Sequence, residues 1–295
     1  MNENDAGLSV IVPCFNEEAG IEATLIDLKK YLKGVGLYEI IVVNDGSTDK
    51  TPDILSRIAN EDKNLRIVVN TRNRGYGAAL KLGIQRSKFG IILITDADGT
   101  YPADTIPALM LTMLNSNADM VVGARIGDTV NMSRLRAIPK FFLKHYAQWI
   151  VNHDIPDLNS GLRVFRKSVA QRFMGILPDG FSFTTTITLS LLADFYNVEF
   201  YPIDYRERVG NSKIRPIRDT LKFFNLIFRA GVYFAPYRVF GPIGLFFVIA
   251  TGISATYDYS VLQDLSGKTQ VFLLLGLNTL FFATVAEMID RRASN

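Results

Sequence analysis

Two hydrophobic rhythms alternate along the first 125 residues. Short, continuously apolar runs rich in Val and Ile occur at 8–13 (LSVIVP), 38–45 (YEIIVVND), 65–70 (LRIVVN), 90–96 (GIILITD) and 118–124 (ADMVVGA). Between them lie stretches with helical spacing: 17–34, where Ile21, Leu25, Leu28 and Leu32 share one face, then 51–61, 77–87 and 104–115. The strand-like runs do not alternate with polar residues, so both of their faces are expected to be covered. Strands that alternate with helices predict a mainly parallel sheet with helices on both sides, an α/β Rossmann-like arrangement. Ligands in such sheets bind beyond the carboxyl ends of the strands. The polar residues at those ends are Asn16, Glu17, Asp45, Asn70, Asp96, Asp98 and Arg125.

The pattern then changes. The stretch 139–151 (PKFFLKHYAQWIV) is amphipathic, with Phe142, Tyr146, Trp149 and Ile150 on one side and Lys140, Lys144 and Gln148 on the other. From 213 to 238 the chain carries Lys213, Arg215, Arg218, Lys222, Arg229 and Arg238 against the single acid Asp219, interleaved with aromatics. Such a segment reads as lying in a membrane interface. Two apolar spans follow, about 239–257 and 271–289, each near the ~20 residues that cross a bilayer. Arg229 and Arg238 precede the first, and Arg291 and Arg292 follow the second. The positive-inside rule then sets both termini and the α/β domain in the cytoplasm, with the connecting loop outside. The expected organisation is an α/β domain over 1–212, a basic amphipathic region over 213–238 and a two-span hairpin over 239–295.

Composition refines this only slightly. A net charge of +3 gives no general footprint for a polyanion, and 48% hydrophobic residues with a mean hydropathy of +0.16 fit a membrane-attached enzyme. The basic aromatic cluster adjoins apolar spans, which argues against a nucleic-acid partner. One cysteine, Cys14, allows no internal disulfide and fits a reducing compartment. The polar start MNENDAG has no features of a secretory signal.

The chemistry concentrates in TDADGTYP, residues 95–102. Asp96 and Asp98 offer hard oxygen ligands from a single turn, which suits Mg²⁺ or Mn²⁺ shared with substrate phosphates. An acid/base pair as in glycoside hydrolysis and a plain capped turn are the other readings of this spacing. Neither histidine, His145 or His153, lies in a strand-end motif. The glycines in RGYGAALKLG (74–83) do not form a dinucleotide fingerprint, because Leu80 stands where the third glycine belongs.

Taken in order, VPCFNEE (12–18), VVNDGSTD (42–49) and ITDADGTYP (94–102) resemble the family 2 glycosyltransferases of the GT-A fold. VVGAR (121–125), DLNSGLRVFRK (157–167) and YPIDYRERVGNSK (201–213) are similar to the subgroup that glycosylates polyprenyl phosphates, such as dolichyl-phosphate mannose synthase and the bacterial undecaprenyl-phosphate glucosyltransferases. The resemblance covers about residues 8–235. It implies a GT-A domain with a C-terminal interface region and two transmembrane helices. It also implies inverting transfer of one hexose from a nucleotide sugar, UDP favoured over GDP, to a polyprenyl phosphate. Pro13, Phe15, Glu17, Val43 and Asp45 would hold the nucleoside, with Ala97 and Thr100 beside the donor. Asp96 and Asp98 would bind Mg²⁺ or Mn²⁺. Thr100 stands where many relatives carry Gln. Arg125 would contact phosphate, Arg134 and Ser160 the acceptor phosphate, and Asp157 would lie near the reacting centre. Arg208 and Lys213 would close over the donor. The rival readings are transfer to another lipid such as a diacylglycerol, and an inactive membrane scaffold. A Q-x-x-R-W element of processive synthases is not found. The hairpin could also pack against copies of itself as a homo-oligomer.

Overall fold

In a computed structural model, residues 7–125, 144–204, 225, 228–229, 231–233 and 235–293 are described, with side chains through residue 288. The chain divides into two compact units, 1–140 with 154–219 and 141–153 with 220–295. The expected cut at 212–213 did not anticipate that a segment at 141–153 groups with the C-terminal unit.

The first unit is built on one seven-stranded sheet. Its elements are β1 (Gly7–Cys14), α1 (Ile21–Leu32), β2 (Leu37–Asn44), α2 (Thr51–Glu61), β3 (Leu65–Val69), α3 (Tyr76–Arg86), β4 (Ile91–Ile94), α4 (Ile106–Asn115) and β5 (Met120–Arg125). Beyond a helix at 144–151, called α5, come β6 (Arg163–Arg166), α6 (Lys167–Phe173), α7 (Phe183–Ala193) and β7 (Val198–Ile203). The strand order is β3-β2-β1-β4-β6-β5-β7. β1 pairs in parallel with β2 and β4, β2 with β3, and β5 with β7. Among the described strands only β6 runs antiparallel, between β4 and β5. All eight residues of β1 are buried, which is why its sequence shows no alternation. Ile21, Leu25, Leu28 and Leu32 of α1 are all buried on the sheet, as their spacing predicts.

Two polar features inside this unit are structural. The buried Glu39 accepts from Ser9 Oγ (2.7 Å), Lys88 N (2.6 Å) and Arg66 Nη1 (2.8 Å), so its charge is paired and hydrogen-bonded. α7 (FTTTITLSLLA) is buried along ten of its residues. The hydroxyls of Thr186, Thr188 and Ser190 donate to carbonyls four residues back, which lets polar side chains enter the interior satisfied.

The second unit contains α5, α8 (Pro236–Val261) and α9 (Gly267–Ala293). Both long helices are apolar enough to cross a membrane, over Pro236–Val261 and Gly267–Met288. They extend past the expected 239–257 and 271–289. Glycines set their close approach. A Cβ at Gly244 would lie 2.7 Å from the Leu280 side chain, and one at Gly276 would lie 3.0 Å from Val248. Phe240 meets Phe282 edge to face at 5.4 Å. At the turn, the Asp258 carboxylate accepts from Ser266 N (2.9 Å), the Ser266 hydroxyl and Thr269 Oγ1 (2.6 Å), clasping the start of α9 to the end of α8. Arg238, read from sequence as a flanking charge, donates through Nη1 to the carbonyls of Trp149 (2.8 Å) and Ile150 (2.9 Å) at the end of α5.

Candidate active site

Because β1, β2, β4 and β5 run the same way, their carboxyl ends open on one edge of the sheet. The loops after β1 and β2 are stitched together there. Asn16 takes a left-handed conformation (φ 52°). Its amide donates to Ser47 Oγ (3.0 Å), while its side-chain oxygen accepts from Thr48 N (2.8 Å). Glu17 N donates to Thr51 Oγ1 (3.0 Å) at the start of α2. Pro13 and Val43 are neighbours across the β1–β2 ladder and both are buried. Phe15 and Glu17 are half-buried above them.

Asp45 follows β2 and is 3% exposed. Its Oδ1 accepts from Asn70 Nδ2 (2.7 Å) and Arg74 N (3.0 Å), and its Oδ2 from Arg74 N (3.1 Å) and Gly75 N (2.8 Å). The carboxylate therefore shapes the 70–75 loop. Gly46 sits under that loop with φ +73°, and a Cβ there would lie 2.7 Å from the Arg72 carbonyl carbon. Only glycine fits both the conformation and the space.

The acid pair follows β4. Asp98 is buried, and its Oδ1 accepts from Thr100 Oγ1 (2.7 Å) and Thr100 N (3.2 Å). Thr100 thus acts on the Asp98 carboxylate itself. Ala97 is buried beneath, its carbonyl accepting from Thr24 Oγ1 of α1 (3.0 Å). Gly20 packs so closely that a Cβ would stand 3.2 Å from the Asp98 Cα. Asp96 is half-buried and accepts the Tyr76 hydroxyl at 2.9 Å. Burial, then the charge of Asp96, pushes the Tyr76 phenol well up, so it stays a donor. Behind Asp96 is Gly161, where a Cβ would lie 2.8 Å from both carboxylate oxygens. Gly161 N donates to Tyr101 Oη at 2.6 Å.

The loop 157–161 completes the edge. Arg125, at the end of β5, forms a fork with Asp157: Nε to Oδ2 at 2.6 Å and Nη2 to Oδ1 at 2.9 Å. Burial opposes ionisation of Asp157, but hydrogen bonds from Arg125 and its charge outweigh it and hold the carboxyl below 3.8. Ser160 has no exposed surface, and its hydroxyl lies against the Leu162 backbone (3.3–3.4 Å), so it reads as a turn residue. Arg134, Arg208 and Lys213 lie outside the described residues.

The donor set fits a small, hard divalent cation. Two carboxylates come from one turn, and no group of three or more His, Cys, Asp or Glu is found among the described residues. Water and substrate phosphate can supply the remaining ligands, as Mg²⁺ sites commonly arrange.

The family model described as "Glycosyl transferase family 2" matches residues 9–173, from β1 through α6 and across every loop just described. The chain belongs to this family. Similar members include a dolichyl-phosphate hexose transferase of Haloferax volcanii, 28% identical over 210 residues, spanning 71% of this chain and 87% of that protein. The dolichyl-phosphate beta-glucosyltransferase ALG5C of Trichomonas vaginalis is 28% identical over 261 residues, 80% of this chain and 76% of its own length. The hexosyltransferase Agl6 of H. volcanii is 28% identical over 216 residues, and the chain spans only 51% of its length. Glucosyl-3-phosphoglycerate synthase from Mycobacterium tuberculosis, solved with Mn²⁺, uridine diphosphate and phosphoglyceric acid, has the same fold. Its TM-score is 0.59 at 18% identity, over 77% of this chain and 78% of that one.

Within this family member, four site residues escaped the sequence reading: Tyr76, Tyr101, Gly161 and Arg163. Arg163 is fully buried under the site, donating to the carbonyls of Ser160 and Thr184 (2.8 Å) and to Thr188 Oγ1 (2.8 Å). Burial pulls its guanidinium down to about 10, still protonated at neutral pH. The one available signal was an arginine set inside the apolar run LRVF.

Proposed function

We propose that this chain is a membrane-bound inverting glycosyltransferase that moves one hexose from a nucleotide sugar, UDP-linked rather than GDP-linked, to a polyprenyl phosphate. The observation that carries the reading is the acid pair Asp96/Asp98, fixed at the open edge of a family 2 sheet in a chain that also holds two apolar helices of membrane length. The names of the dolichyl-phosphate relatives support the acceptor class. The uridine diphosphate and Mn²⁺ in the mycobacterial structure support the donor and the metal.

In this reading Asp96 and Asp98 would hold Mg²⁺ or Mn²⁺, which when bound would supply electrostatic stabilisation of the charge that develops on the leaving group. Asp45 keeps the 70–75 loop in shape beside the nucleoside, which Pro13, Phe15, Glu17 and Val43 wall in, with Ala97 and Thr100 under the donor. An oxygen of the acceptor phosphate attacks the anomeric carbon from the face opposite the diphosphate. A carbon–oxygen bond forms, the bond to the diphosphate breaks, and the nucleoside diphosphate leaves with the electron pair. The acceptor oxygen is already anionic near neutral pH, so no protein base is required. Arg125, held by Asp157, lies beside the reacting centre, and Arg134, Arg208 and Lys213 supply positive charge for two meeting anions. The catalytic unit and both termini face the cytoplasm, the hairpin turn faces outward, and the hairpins can associate as a homo-oligomer.

The test is purified protein with undecaprenyl phosphate, Mg²⁺ or Mn²⁺ and a panel of UDP- and GDP-sugars, reading nucleoside diphosphate release and lipid-product mass. Lipid-dependent release with one donor, lost in Asp98→Asn, is expected. Release that follows diacylglycerol instead would replace the acceptor, and no release with any donor would favour the scaffold reading.

A further inference from the structure

The glycine pair of RGYGAALKLG has no role in the mechanism above, and its environment gives it one. Gly75 and Gly77 open α3 beneath the backbone of 178–180. A Cβ at Gly75 would lie 2.5 Å from the Asp179 carbonyl oxygen, and one at Gly77 would lie 2.1 Å from that of Pro178. Ala78 N donates to Asp179 O (3.0 Å), and Lys81 Nζ pairs with Asp179 Oδ1 (2.8 Å). The docked loop carries Phe181, whose ring stacks on Tyr76 at 5.5 Å and 19° although Phe181 is 75% exposed. Tyr76 in turn donates to Asp96 Oδ1. A Cβ at Gly161 would lie 2.8 Å from both Asp96 oxygens, so a side chain there would push the carboxylate aside. A carboxylate anchored by a hydrogen bond is restricted in rotation, and a fixed ligand spends less ordering entropy when a cation arrives.

We infer that Tyr76 is a positioning residue, aiming Asp96 at the divalent cation, and that the Gly75/Gly77 pair exists to seat the loop that holds Tyr76 in place. This rests on the reading of Asp96 and Asp98 as the metal site. Tyr76→Phe removes the hydroxyl and keeps the stack, so it tests the hydrogen bond alone. The measurement is free Mn²⁺ by electron paramagnetic resonance during titration of the full-length protein with UDP present, beside UDP affinity without metal. Partners of metal ligands typically contribute 10–100-fold in affinity. Tyr76→Phe should weaken Mn²⁺ binding by about ten-fold, leaving metal-free UDP affinity unchanged and the melting temperature within about 4 °C of wild type, and Phe181→Leu should shift Mn²⁺ binding the same way by less. A Tyr76→Phe titration that superimposes on wild type, while Asp98→Asn has lost Mn²⁺ binding, overturns the inference and leaves the metal reading standing. If Asp98→Asn also titrates like wild type, the metal reading fails and takes this inference with it.

Discussion

Asp45 offers the sharpest test of how the site is built, because its carboxylate serves the fold before it serves any ligand. Asp45→Ala strips the acceptor from three donors: Asn70 Nδ2, Arg74 N and Gly75 N. A buried donor left unmade costs about 1–3 kcal/mol. Arg74 is exposed, so water can recover its amide, whereas Asn70 is only 8% exposed. Two donors at about 1.5 kcal/mol each give about 3 kcal/mol. For a unit of about 200 residues this lowers the melting temperature by about 6–12 °C. Asp45→Asn should be milder. Its one remaining oxygen can take both backbone amides, and a turned Asn70 amide can accept from the new NH₂. What is lost is charge assistance, about 1 kcal/mol, or about 2–4 °C. The assay is thermal melting by far-UV circular dichroism in detergent. Tryptophan fluorescence is unsuitable, since the single tryptophan, Trp149, belongs to the other unit. An alanine variant that melts within 2 °C of wild type, or an asparagine variant that falls as far as alanine, would refute the argument.

Three further outcomes are expected. Gly77→Ala drives a methyl into the Pro178 carbonyl and should cost about 1–3 kcal/mol as an overpacking change, read as a melting shift with new protease sensitivity near residue 178. Asp157 has its carboxyl depressed below 3.8 in the folded chain, so its contribution is present above the unfolded value and fades as pH falls below 3.8. The stability gap between wild type and Asp157→Asn should therefore be constant from pH 7 to about 5 and narrow below 3.8; a gap still undiminished at about pH 2 would contradict the pairing with Arg125. Asp258→Ala leaves Ser266 and Thr269 without their shared acceptor, so the hairpin should lose helix content and melt earlier in detergent, which circular dichroism of the full chain would show.

Much of the sheet was legible because buried parallel strands leave a distinctive trace. β3 and β4 lie within apolar runs of the sequence, β2 and β5 overrun theirs by one residue at one end and β1 by one at each end, and α1 buries the face its spacing named. β6 left little trace: it is four residues long and begins and ends in arginine. Its antiparallel insertion between β4 and β5 is a matter of tertiary pairing that no local pattern carries. α7 shows the converse problem. Its Thr and Ile content favours a strand by propensity, yet burial on all sides and hydroxyls bonded to carbonyls one turn back keep it helical. The helical stretch expected from residue 17 begins only at Ile21, because Asn16 turns left-handed and Gly20 must clear the backbone of Asp98.

The two acids of the site divide along the same line. Asp98 is fixed by Thr100 two residues on, so its anchor is local and lies within the motif that was read. The short Thr100 side chain reaches the carboxylate itself. Asp96 is fixed by Tyr76, twenty residues back, and by Gly161, beyond β5 and α5. Neither anchor belongs to the TDADGTYP motif, and neither residue type declares a role. A tyrosine at the start of a helix reads as core, and a glycine after a serine reads as a turn. Only the closing of α3 and the 157–161 loop on the end of β4 gives them one. The chemistry of the site was therefore visible wherever the chain carries both the functional group and its support in one turn. Where the fold supplies the support from a distance, as it does for Asp96, the functional group was visible and its support was not.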